Sequence, residues 1–224
     1  NNNVTIQNNA VSKAYYGIYN QGTTTGANTG LLITQNVVGS NTATDYVTYK
    51  GIYLQGANAA TVSRNEVFNI ITVGSISNAG IESGSDVTNA VISRNLVRDV
   101  ESNSASGYGA YGINVTSGTG VTIQNNVIHS MNTTNYSVSS TTYNPFGIRL
   151  AGGTGHKLYT TVSICGEVSL LPVQRERYQR HCSLLPVPLQ AQTYAIIYLQ
   201  AGLKDLQVQI LMQCMQYQEQ HSVQ

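Results

Sequence analysis

Charge is scarce in this chain. Only 9% of its 224 residues are Asp, Glu, Lys or Arg, and the formal net charge is +1. Such a balance leaves no electrostatic footprint for nucleic acid or for an anionic membrane surface. Tryptophan is absent, which removes the largest aromatic platform on which a sugar ring could rest. No apolar run is long enough to cross a bilayer as a helix. Residues 1–155 contain no cysteine, so disulfides do not staple that part of the chain. Helical periodicity is missing as well: before position 156 no window carries an apolar stripe at helical spacing. Solubility must therefore come from Asn, Thr, Ser and Gly.

What the chain has instead is repetition. Five times an apolar residue is followed three places later by Asn and two places after that by another apolar residue. The cores are Ile6–Val11, Ile33–Val38, Val62–Val67, Ile92–Val97 and Ile123–Ile128, anchored on Asn9, Asn36, Asn65, Asn95 and Asn126. Successive anchors are 27, 29, 30 and 31 residues apart. A drifting period with a fixed short core marks a solenoid whose coils carry loops of different length. A second element, Gly-Ile, recurs at Gly17-Ile18, Gly51-Ile52, Gly80-Ile81, Gly112-Ile113 and Gly147-Ile148. Both elements are rich in β-branched residues and alternate apolar with polar, as strands do. Gly, Asn, Thr and Ser between them supply turns.

Stacking such coils places each strand about 4.8 Å from its copy in the next coil. Ile6, Ile33, Val62, Ile92 and Ile123 then form one buried column, and Val11, Val38, Val67, Val97 and Ile128 another. The five anchoring asparagines form a third, at the bend between two strands. An amide both donates and accepts, so each Asn can bond to the next and to the backbone of the bend. Asn also tolerates the left-handed backbone that a sharp bend demands. This column is expected to hold the fold together rather than to bind a ligand.

These Gly-Ile and Ile-x-x-Asn-x-Val cores resemble the right-handed parallel β-helix repeat family, over roughly residues 3–159. The resemblance implies an all-β, single-stranded solenoid of about five coils. It leaves function open, because that family includes polysaccharide lyases and hydrolases, phage tailspikes, adhesins and large bacterial surface proteins. Gly153-Thr154-Gly155-His156-Lys157-Leu158-Tyr159 looks like repeats of exported bacterial surface proteins, which implies an extracellular or cell-surface location. Asn1 to Ile6 run straight into a repeat core with no Met and no signal peptide. That start reads as a piece of a longer solenoid without its N-terminal cap.

Catalytic signatures are hard to find. The acidic residues of the repeat region are Asp45, Glu66, Glu82, Asp86, Asp99 and Glu101. A lyase of this fold needs carboxylates clustered on Ca²⁺ and a nearby Arg or Lys base. Asp99 and Glu101 share a strand face beside Arg98, but neighbouring coils offer only Ile70 or Ile71 and Ser130 at matching positions. A solvated outer face is the expectation there. Gly155-His156-Lys157 is only superficially similar to the Gly-His-Gly of polygalacturonases: the third residue is Lys, and repeat alignment makes His156 the equivalent of Val121. No catalytic, cofactor-binding or metal-binding residue is assigned.

Recognition has better candidates. Arg64 and Arg94 hold the same repeat position one coil apart, where stacked guanidinium groups could grip an acidic sugar chain. Tyr19 and Tyr53 follow Gly-Ile on adjacent coils and could form a ladder of rings offering apolar area with a polar tip. These four are the candidate glycan contacts. The loops at 20–30, 40–49, 72–78, 102–110 and 131–144 project from the coils, where recognition is expected to concentrate.

After about residue 159 the composition changes. Residues 1–155 hold 22 Asn, and residues 156–224 hold none. The later stretch contains Cys165, Cys182 and Cys214, three of the four Pro and 12 Gln. A separate C-terminal domain or helical cap is one reading, with Leu203–Gln220 drawn as a Gln-rich helix. A frameshift between about Tyr159 and Gly166 explains more. Gln, Pro and His codons begin with C, and so do most Leu and Arg codons; moved by one base, these encode Ser, Pro, Thr or Ala. Tyr194–Leu199 can then read Ile-Arg-Asn-Asn-Ile-Phe, matching Ile123–Ile128. Residues 160–224 are accordingly expected to be an atypical tail, the displaced continuation of the solenoid.

Three functional expectations follow. The first is a non-catalytic segment of a secreted or cell-surface bacterial β-helix protein, adhesive, structural or glycan-binding, with polysaccharide or surface glycan as partner and no cofactor. The second is a fragment of a polysaccharide lyase or glycoside hydrolase whose active site lies outside this segment. The third is a frameshifted product with no function of its own.

Overall fold

The computed structural model describes residues 2–134, 143–159, 162–164, 197–199 and 207–208. Among them the chain is all β, apart from a single 3-10 turn at Ala43–Asp45. It winds into a parallel β-solenoid of four sheets, in which each strand pairs with its counterpart in the next coil. Sheet I stacks Thr5–Gln7, Leu32–Thr34, Thr61–Ser63, Val91–Ser93, Thr122–Gln124, Lys157–Leu158 and Gln207–Val208. Sheet II stacks Ala10–Val11, Val37–Val38, Glu66–Thr72, Leu96–Ser102, Val127–Thr133 and Val162–Ile164. Sheet III stacks Tyr16–Gln21, Lys50–Gln55, Asn78–Ser83, Ala110–Val115, Pro145–Leu150 and Ile197–Leu199. Sheet IV is a narrow ladder of Asn28–Thr29, Ala57–Asn58 and Val87–Thr88.

Register puts like residues over like. Ile6 pairs with Ile33, Ile33 with Val62, Val62 with Ile92, and Ile92 with Ile123. The second aliphatic column runs Val11, Val38, Val67, Val97, Ile128. The isoleucines of the Gly-Ile element make a third, from Ile18 through Ile52, Ile81 and Ile113 to Ile148. All three belong to one continuous core. Each fully buried Val or Ile contributes about 1.5–3 kcal/mol to burying the stack.

That packing also explains the glycine of Gly-Ile. A Cβ at Gly17, Gly51, Gly80 or Gly112 would overlap Val38, Val67, Val97 or Ile128 and the carbonyl of the next glycine in the column. Sheets II and III therefore meet closely at this column, and glycine is the residue that lets them.

The bend between sheets I and II departs from expectation in one respect. The left-handed backbone falls on the residue before the anchoring Asn: Asn8, Gln35, Arg64, Arg94 and Asn125 have φ of 57°, 57°, 56°, 57° and 54°. The anchoring asparagines themselves stay outside that region. Their side chains make the ladder while the neighbour absorbs the turn, at about 1 kcal/mol or more for a residue with a Cβ. A further column of left-handed residues, Asn69, Asp99 and Ser130, kinks the long strands of sheet II. The register there runs Phe68 to Arg98 and then Ile70 to Val100.

The readings made for residues 160–224 fall almost wholly outside the described residues. Those made for residues 135–142 of the 131–144 loop fall outside them entirely. The three short strands at 162–164, 197–199 and 207–208 extend sheets II, III and I.

Candidate functional site

The bend of sheets I and II holds the five asparagines in one line. The backbone N and Nδ2 of Asn36 both donate to Asn65 Oδ1, at 3.0 and 2.9 Å. Asn65 does the same to Asn95, and Asn95 to Asn126, at 3.0 Å throughout. Asn9 begins the series on Asn36 at 3.1 and 3.0 Å. From Asn36 on, each Nδ2 also reaches back one coil: Asn65 donates to Ile33 O and Asn95 to Val62 O, both at 3.0 Å. One amide thus ties three coils. Asn36, Asn65, Asn95 and Asn126 are buried, so this line is closed to a ligand.

Arg64 and Arg94 stand at the same corner and are exposed. Their left-handed backbone turns them outward beside the ladder. Neither forms an ion pair with another described residue.

The outer face of sheet III is where coils differ. The residue after Gly-Ile points outward and gives the column Tyr19, Tyr53, Glu82, Asn114, Arg149. Beside it runs Tyr16, Lys50, Ala79, Tyr111, Phe146. Tyr19 and Tyr53 stack with ring centres 5.4 Å apart and planes 5° from parallel. Tyr16 lies 4.8 Å from Tyr19 and 5.7 Å from Tyr53. Tyr15 packs on Tyr49 at 4.8 Å, which closes a five-ring cluster. Tyr15 is 52% exposed and Tyr19 is 44% exposed. Because Tyr53 covers one face of Tyr19, solvent meets Tyr19 and Tyr15 at the end of the cluster, not a row of open faces. Burial, with the Glu82 carboxylate adding to it, pushes the Tyr49 hydroxyl up to about 12. Burial first, and Glu82 second, also raises Tyr53.

The polar end of the same face is buried. Lys50 Nζ meets Glu82 Oε2 at 2.7 Å, and Asn114 Nδ2 donates to the same oxygen at 2.7 Å. Lys50 also donates to Ser77 O at 3.0 Å, from the loop that lies over it. Arg149 Nη1 donates to Asn114 Oδ1 at 3.3 Å, and its guanidinium sits 5.1 Å from the Tyr111 ring centre. Ala79, between Lys50 and Tyr111 in its column, is small enough to let the lysine cross to Glu82. Burial pulls the Lys50 pKa down, the Glu82 contact opposes it, and Arg149 adds to the lowering. Lys50 is held by a carboxylate and a carbonyl, so it stands as a positioned cation.

Lys50, Asn114 and Arg149 were not singled out from sequence, and Glu82 was named only among the acidic residues. The signal was present: Glu82, Asn114 and Arg149 hold the position after Gly-Ile, and Lys50 the position before it, followed down the coils. Beyond the Tyr19–Tyr53 pair these positions carry a different residue in each coil, so no repeat pattern flags them.

The Asp99 and Glu101 pair lines an open cleft of about 440 Å³ with Tyr46, Asn69, Ser130 and Asn132. Asp99 is taken up by Arg98 at 2.6 Å, and Arg98 also reaches Glu66 at 2.8 Å. Glu101 accepts from Asn132 at 3.1 Å. Among the described residues no group of three or more His, Cys, Asp or Glu is placed to hold a metal. No described helix is long and apolar enough to cross a membrane.

The fold places the chain in the class of parallel β-solenoids. No protein family, curated protein or solved structure matches it.

Proposed function

We propose that the chain is a non-catalytic segment of a secreted or cell-surface bacterial β-helix protein, an adhesive or structural rod that contacts glycans. The observation that carries this reading is the tyrosine cluster on sheet III, with Tyr15 and Tyr19 exposed beside the Tyr19–Tyr53 stack. A sugar ring presents axial C–H groups that pack on such rings, while the hydroxyls of Tyr serve its edge. The underlying stack keeps the rings fixed, so little side-chain entropy is lost on contact. Arg64 and Arg94, exposed at a different corner, are a second contact suited to acidic chains.

A glycan array followed by titration of the best ligand tests the proposal. Binding without shortening of the glycan is expected, and Tyr19→Ala should weaken it about tenfold. A folded chain that binds no glycan, or equal binding by Tyr19→Ala and Tyr15→Ala variants, removes the reading. Release of shorter oligosaccharides would replace it with a lyase or hydrolase.

A further inference from the structure

From the second coil on, the residue just before each strand of sheet I is buried in the core. Down the coils that column is Leu31, Ala60, Ala90 and Val121, and then His156. Four aliphatic side chains are followed by an imidazole only 2% exposed.

Both ring nitrogens are engaged. The Val121 N–H donates to Nδ1 at 3.2 Å, so Nδ1 carries a lone pair and the single ring proton sits on Nε2. Nε2 then donates to the Gly152 carbonyl at 3.0 Å. The chain wraps the ring closely, since a Cβ on Gly153 would overlap it. Gly153 and Gly155 make that turn with φ of 90° and 65°.

This arrangement suits the neutral ring alone. A second proton would set an Nδ1–H donor against the Val121 N–H donor and place a cation among aliphatic side chains. Nothing described nearby supplies a counter-charge. Residues 117–121 and Thr122–Gln124 beneath the ring, and residues 151–155 around it, contain no ionisable side chain. Lys157 follows in sequence, is exposed, and is itself a cation. Asp86, at the turn before Val87–Thr88, accepts from Thr24.

We propose that His156 is an acid-sensitive fastener, whose protonation releases residues 152–159 from the coil beneath and bares the edge of Thr122–Gln124. The bonds released would be Thr154 N to Gly118 O at 3.1 Å, and Lys157 N to Val121 O and Tyr159 N to Ile123 O at 2.9 Å. Burial lowers the His156 pKa in the closed coil, with the Gly152 carbonyl acting in the opposite direction. The opened segment titrates near the ordinary histidine value of about 6.5. Closure is therefore at full strength above about pH 6.5 and weakens as pH falls from there toward the closed-state value.

Hydrogen–deuterium exchange of the full chain at pH 7 and pH 5, corrected for the intrinsic rate, reads this opening. Protection of the Thr154, Lys157 and Tyr159 amides should change little above about pH 6.5 and drop by up to about tenfold per pH unit below it. His156→Val extends the aliphatic column and should keep these amides protected at both pH values. His129→Gln should still show the full drop. Equal wild-type protection at pH 7 and pH 5, or an undiminished drop in His156→Val, overturns the proposal. An NMR titration of His156 in the wild type needs no variant. A ring that titrates at or above the ordinary value overturns it as well.

Discussion

The bend between sheets I and II and the outer face of sheet III are built from the same coils, yet they follow opposite rules. At the bend every coil repeats one solution: an aliphatic residue, a left-handed residue, an Asn that is buried from the second coil on, and another aliphatic residue. On sheet III the column after Gly-Ile changes from Tyr to Tyr, Glu, Asn and Arg. The bend faces the same problem in each coil, turning the backbone without orphaning its N–H groups, and one amide solves it each time. The outer face has no such shared demand. Its coils can carry different groups, which then combine across coils into a cluster that no single coil contains.

The two regions should break differently. The largest loss is expected on the varied face. Lys50→Met leaves Glu82 buried with only Asn114 on its carboxylate, and should cost about 3–5 kcal/mol in denaturant unfolding. The double variant Lys50→Met/Glu82→Leu should recover most of that loss, because neither member of the ion pair is then left without the other. A double variant as unstable as the single one would mean that packing, not charge pairing, holds this face.

Asn65→Ala is expected to cost slightly less, about 3 kcal/mol, by leaving the Asn36 N–H and the Ile33 carbonyl short of a partner inside the stack. Because ladder sites are equivalent, Asn36→Ala and Asn95→Ala should fall close to it. Lys50 has no such equivalents. Widely scattered ladder values would show that the coils do not share one energetic role. Tyr19→Ala should leave stability nearly unchanged and register in glycan affinity.

How far each region could be read from sequence follows from the same contrast. The Asn and aliphatic columns were legible because like residues recur at fixed places within a short core, even as the period drifts, and register then follows. The Gly-Ile element was legible as a pattern, but not its cause. That glycine answers to Val38, Val67, Val97 and Ile128 on another sheet, which nothing local to Gly-Ile reveals. The left-handed turn was assigned one residue late. Asn is the type usually associated with that backbone, but here the ladder asparagines stay outside it, and Arg64 and Arg94 bear the strain. The Lys50–Glu82–Asn114–Arg149 row stayed hidden because it depends on register between unlike residues. Tyr19 and Tyr53 were paired from sequence, but their mutual stacking, which turns one face of Tyr19 away from solvent, is a property of the packed coils.

The in-register pile of coils is the claim on which both regions depend, and side-chain amide NMR tests it most directly. The account predicts nuclear Overhauser contacts linking the Nδ2 protons of Asn36 to Asn65 and of Asn65 to Asn95, partners 29 and 30 residues apart. Amides of these residues that contact only their sequence neighbours would contradict it.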